Sequence, residues 1–65
     1  MNEHEYLTVA EIAEHFRVSD TTVRKLIKKR KLAAIKIGKN YRIRREDFER
    51  LINSQAVAEE KSQGG

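Results

Sequence analysis

The sequence predicts a mainly α-helical domain with one small β-hairpin, in the order α-α-β-β-α. Three observations lead there. Apolar residues recur at helical spacing over residues 8–30 and again over 45–53. Between residues 35 and 43 they alternate with polar ones, the period of a strand. Eleven of the fourteen Lys and Arg residues fall within positions 20–45.

The first helix has a well-marked start. Thr8 is placed as its N-cap and Glu11, three residues on, completes a capping box. Leu7 and Ile12 are spaced for a hydrophobic staple across that cap. Val9, Ile12, Ala13 and Phe16 then share one face, so the helix should run from about Val9 to Phe16. After Arg17-Val18-Ser19 the grammar repeats. Ser19 caps, Asp20 suits the positive end of the helix dipole, and Val18 can staple onto Val23. Val23, Leu26 and Ile27 form the apolar face of a second helix, expected from Asp20 to about Arg30. Lys28, Lys29, Arg30 and Lys31 complement its negative end, but four bases in a row exceed what a helix end requires.

Ile35 and Ile37 alternate with Lys36, and Tyr41 and Ile43 with Arg42, around Gly38-Lys39-Asn40. That is a hairpin whose turn is either a two-residue type II′ turn at Gly38-Lys39 or a three-residue loop. Alternation is expected to turn Ile35, Ile37, Tyr41 and Ile43 toward the helices and Lys36, Arg42 and Arg44 away, with Lys39 and Asn40 at the tip. A third helix is expected over Arg45 to Asn53, with Phe48, Leu51 and Ile52 as its apolar stripe and Glu46, Asp47 and Glu49 in its first turns. Residues 1–5 read as a flexible leader and 55–65 as a disordered tail, which leaves residues 6–54 as the domain.

Two helices, a hairpin and a closing helix make a winged helix-turn-helix. Leu7, Ile12, Phe16, Val18, Val23, Ile27, Ile35, Ile37, Tyr41, Ile43, Phe48 and Leu51 would supply one small core. The charge divides sharply along the chain. Residues 1–19 and 46–65 each carry a net −3, while residues 20–45 carry +10. A short helix, a tight break and a basic second helix are the plan by which a helix enters the DNA major groove, so the expected partner is double-stranded DNA.

Sixty-five residues allow one small domain. The chain has no cysteine to staple it or to bind metal, and its stability must come from packing. No apolar run approaches the ~20 residues of a membrane span, and the acidic start is unlike a signal peptide, so a cytoplasmic protein is expected. Enzymatic activity is not expected, nor any cofactor or metal. His4 and His15 are eleven residues apart, without the i, i+4 spacing of a helical zinc pair, and no phosphate loop or Ser/His/Asp constellation appears. His4 falls in the leader and His15 on a solvated side of the first helix.

Four segments carry a family resemblance: Tyr-Leu-Thr-Val-Ala-Glu-Ile-Ala (6–13), Val-Ser-Asp-Thr-Thr-Val-Arg-Lys-Leu-Ile (18–27), Ile-Lys-Ile-Gly-Lys-Asn-Tyr-Arg-Ile (35–43) and Arg-Glu-Asp-Phe-Glu-Arg-Leu-Ile (45–52). In this order and spacing the chain resembles the excisionase-type DNA-binding domain, a minimal winged helix-turn-helix related to the MerR group. The resemblance implies a recognition helix in the major groove and a wing on or in the neighbouring minor groove. It further implies a phage or mobile-element excisionase, also called a recombination directionality factor, in a bacterial host. Such a protein binds and bends DNA beside an attachment site and directs a partner integrase, of the tyrosine rather than the serine recombinase type, toward excision. Cooperative self-association on DNA would accompany this. The alternative within the same resemblance is a small transcription regulator of the AlpA-like or BldC-like kind; a protein-interaction adaptor using the third helix is the reading from another class. Many relatives carry glycine after the recognition helix and proline before the wing. Here those places read Arg30-Lys31 and Ala33, which leaves open a second helix running one turn further.

The residues then take roles by position. Thr21, Thr22, Arg24, Lys25 and Lys28 are the major-groove candidates, with Arg24 first because a guanidinium grips guanine O6 and N7 with two hydrogen bonds. Thr22 serves equally well as an ordinary helix-start residue. Lys28 can also meet phosphate, as can Ser19, Lys29 and Lys31. Lys36, Lys39, Asn40, Arg42 and Arg44 are the wing and minor-groove candidates.

Overall fold

The computed structural model describes residues 6–64, with side chains through Glu60. The elements are β1 (Tyr6–Thr8), α1 (Val9–Phe16), α2 (Asp20–Lys28), β2 (Ile35–Ile37), β3 (Asn40–Arg44), α3 (Arg45–Asn53) and α4 (Ala56–Gly64). The mainly helical fold with a wing is as predicted, enlarged by one strand and one helix. The leader, with His4, lies outside the described residues.

Local chemistry sets the helix starts. The Thr8 hydroxyl accepts from the Glu11 N–H at 3.1 Å, and the Glu11 carboxylate accepts from the Thr8 N–H at 2.8 Å. Ser19 Oγ accepts from the Thr22 N–H at 3.2 Å. Both helices stop in the same way. Arg17 is left-handed (φ 58°, ψ 48°), its N–H bonds to the Glu14 carbonyl, and the Val18 N–H reaches back to Ala13 at 2.9 Å. Arg30 is left-handed too (φ 61°), its N–H bonds to Ile27, and the Lys31 N–H reaches back to Leu26 at 2.9 Å. These are Schellman stops, a position glycine normally fills because a Cβ there crowds the neighbouring carbonyl at a cost of about 1–2 kcal/mol. Arg30 therefore ends α2 at Lys28, two residues before the expected boundary and not one turn beyond it.

The sheet has the order β1-β3-β2, all antiparallel. The turn resolves to two residues, with Gly38 at φ +61° and Lys39 outside the left-handed region, the φ pattern of a type II′ turn. Ile37 therefore pairs with Asn40, Lys36 with Tyr41 and Ile35 with Arg42. Paired residues share a face, so an even-length turn places the odd-numbered residues of β2 opposite the even-numbered residues of β3. This corrects the expected orientation. Ile35 and Ile37 lie on the outer face with Arg42 and are 40% and 55% exposed, while Lys36 shares a side with Tyr41 and Ile43. The missing apolar partner comes from β1, where Leu7 pairs with Ile43.

Ile12, Val23, Leu26 and Ile43 are fully buried, with Val9, Ala13, Leu32, Phe48 and Leu51 around them. Phe16, Phe48 and His15 meet edge-to-face, with His15 centred 4.9 Å from each phenylalanine, which ties α1 to α3. Ile52, expected in the stripe of α3, is 44% exposed.

The expected disordered tail is also corrected. Ser54 closes α3 by donating to the Leu51 carbonyl at 2.9 Å, and its hydroxyl accepts from the Ala56 N–H at 3.2 Å as α4 begins. Ala56 and Val57 complete the core, and α4 packs against α2. Helix formers dominate this segment, but its buried positions are Ala56, Val57 and Glu60. An apolar scan finds no stripe there because one of the buried side chains is a carboxylate.

Candidate nucleic-acid interface

The outward side of α2 is a single stripe. Thr21, Arg24, Lys25 and Lys28 are exposed and follow i, i+3, i+4, i+7 spacing, opposite the buried Val23 and Leu26. Among the described residues no carboxylate lies within ion-pair distance of Arg24, Lys25 or Lys28. Like charges at i, i+4 destabilise a helix by a few tenths of a kcal/mol each. Arg24 and Lys28 stand in that relation, and an anion bound from outside would relieve it. Thr22 is half-buried, and its hydroxyl sits 3.1 Å from Ser19 Oγ. The structure thus engages Ser19 and Thr22 with each other at the helix start.

The wing carries its charge on two sides. Lys39 and Asn40 form the exposed tip. Arg42 and Arg44 stand on the outer face, opposite Thr8 and Tyr6 on β1, while exposed Lys36 lies across from Tyr41 on the other side. The expected common face for Lys36, Arg42 and Arg44 is therefore split, for the turn-parity reason already given.

The far end of α2 differs. Lys29 Nζ contacts both carboxylate oxygens of Glu60, at 2.9 and 3.2 Å, and Glu60 is 4% exposed. Lys31 Nζ lies 3.5 Å from Glu59 at the surface. The Lys29 hydrogen bond is the main reason the Glu60 carboxyl sits below its ordinary value. Burial opposes that shift, and the charges of Lys29, Lys25 and Lys31 add to it. Two of the four consecutive bases thus hold α4 in place. Sequence reasoning missed Glu59 and Glu60, which lie some thirty residues from the lysines that bind them; their one sequence signal was a surplus of bases at the end of α2.

Residues 6–56 match the family described as a helix-turn-helix domain, and the chain belongs to that family. It is a DNA-binding domain, and α2 is the second helix of its helix-turn-helix. No curated protein and no solved structure matches the chain. Among the described residues no group of three or more His, Asp or Glu side chains is arranged to hold a metal ion. No described helix is long and apolar enough to cross a membrane.

Proposed function

We propose that this chain is an excisionase-type protein that binds several adjacent sites beside an attachment site, bends the DNA and directs a tyrosine-recombinase integrase toward excision. The observation that carries the DNA-binding part is the uncompensated stripe Thr21, Arg24, Lys25 and Lys28, flanked by the basic wing. The excisionase part is supported by the order and spacing of the four segments over residues 6–52.

In this reading Arg24 reads guanine in the major groove and Lys25 supports it with less geometric discrimination. Thr21 meets a phosphate or a thymine methyl, and Lys28 a phosphate. Lys39 and Asn40 lead the wing into the minor groove, with Arg42, Arg44 and Lys36 along its sides. Lys29 and Lys31 already hold Glu60 and Glu59, so a phosphate role for either exchanges one anion for another. One small reading helix gives limited specificity, and neighbouring copies on repeated sites raise affinity through effective concentration.

Footprinting across the gene's own neighbourhood, over a salt series, tests this reading. The expected result is a few spaced, sequence-related protected sites beside an attachment core. With roughly six phosphates neutralised, the slope of log affinity against log salt should be about −5. Addition of the protein should also raise the ratio of excision to integration by the cognate integrase. Protection over a promoter, with that ratio unmoved, would make the protein a transcription regulator instead.

A further inference from the structure

We propose that Arg17 and Arg30, the two residues that stop the helices of the helix-turn-helix, are a pair of phosphate clamps, one at each end of α2. The proposal rests on the DNA-binding reading and adds two residues to it.

Both arginines occupy the left-handed backbone region, at φ 58° and φ 61°, in the same hydrogen-bonded stop. Where the wing turn needs that region the chain uses glycine, at Gly38 with φ +61°. At the two helix ends it places the same long cation twice, in a conformation L-residues disfavour. The negative end of a helix favours a nearby cation, but that preference does not require the cation at the left-handed position itself. Both side chains are exposed, and among the described residues neither has a carboxylate within ion-pair distance. Lys29 and Lys31, the immediate neighbours of Arg30, do have such partners, so local acids are in reach of that end and Arg30 is left out of their pairing.

Position supplies the function. Arg17 precedes the cap of α2 by two residues, and Arg30 follows its last residue by two. The nine-residue helix between them is roughly 13 Å long, close to the ~12 Å width of the major groove. A helix seated in that groove brings its two ends toward the phosphate rims on either side. Guanidinium groups at those ends can grip phosphate oxygens in bidentate fashion and fix the depth and register of the helix.

The test uses the full chain, a fluorescein-labelled mixed-sequence 24-base-pair duplex and the variants Arg17→Gly, Arg30→Gly and the double variant. Glycine relieves the backbone, so each variant should melt at the wild-type temperature or above it. Each should nonetheless bind about tenfold more weakly at low salt, the loss of one charge-assisted contact. The slope of log affinity against log salt should fall by about 0.9 per arginine. Arg50→Gln, which removes a base paired with Asp47 on α3, should leave affinity and slope near wild type. Glycine variants that bind as wild type does would make the two arginines helix stops only and overturn the proposal. So would an Arg50→Gln loss as large as theirs, since the effect would then be diffuse charge. Wild-type protein with no salt-sensitive binding would overturn the DNA reading itself, and the clamps with it.

Discussion

The exposed stripe of α2 and the segment just past its C-terminus carry similar numbers of bases and use them in opposite ways. Along the helix, Arg24, Lys25 and Lys28 line an exposed stripe with no acid in ion-pair distance among the described residues. Past its end, Lys29 and Lys31 are bound by Glu60 and Glu59 of α4. The same residue type is thus left open on the stripe and held by an internal anion past the helix end. What decides between them is whether the fold brings a carboxylate alongside, which the local sequence around a lysine does not reveal.

The largest expected effect removes the ground on which both regions stand. Leu26 is fully buried, and its carbonyl accepts from the Lys31 and Leu32 N–H groups that follow the helix. Leu26→Ala should lose about 2–5 kcal/mol in chemical denaturation, enough to unfold much of a domain this size and to abolish the contrast between them. Arg24→Ala should sharpen the contrast. Stability is expected within about 0.5 kcal/mol of wild type, while DNA binding weakens by about 1–3 kcal/mol in titrations and tolerates changes at one base position.

Lys29→Ala should show the reverse pattern. It leaves the buried Glu60 without its hydrogen-bond donor, so thermal stability and hydrogen-exchange protection of α4 should fall, while DNA affinity changes less than in Arg24→Ala. A Lys29→Ala protein that keeps its α4 protection and loses more affinity than Arg24→Ala would break the comparison. The smallest effect is one of pH. The folded-state pKa of Glu60 lies below its ordinary value of 4.5, chiefly because of the Lys29 hydrogen bond. Its contribution to stability is therefore fully present above about pH 4.5 and is lost as pH falls through the lower folded value. Acidification should loosen α4 while the rest of the fold persists, and Glu60→Gln should flatten that dependence in an NMR titration of α4 amides.

The parts of the fold that local chemistry dictates were legible in the sequence. The capping box of Thr8 and Glu11, the Ser19 cap and the stripe of Val23 and Leu26 place α1 and the start of α2 as found. α3 runs from Arg45 to Asn53 as its stripe predicts. What failed depended on pairing or on distant partners. Facing Ile35 and Ile37 inward together with Tyr41 and Ile43 requires an odd-length turn, and Gly38-Lys39 makes an even one. β1 is only three residues long, too short to show a period, and it exists because β3 offers it an edge. α4 hides because its buried positions include Glu60, which reads as solvated until Lys29 is placed beside it. At the candidate interface, exposure of the stripe followed from helical spacing, whereas the engagement of Ser19 with Thr22 and of Lys29 with Glu60 needed coordinates.

The central claim is that the open stripe of α2, together with the wing tip, meets DNA while α4 stays docked behind it. Titration of the isotope-labelled protein with a mixed-sequence duplex, followed by amide and side-chain NMR shifts, tests this most directly. The account predicts the largest shifts at Thr21, Arg24, Lys25 and Lys28 and at Lys39 and Asn40, with Ala56, Val57 and Glu60 nearly still. Shifts centred on α4, with the Thr21 to Lys28 stripe unmoved, would contradict it.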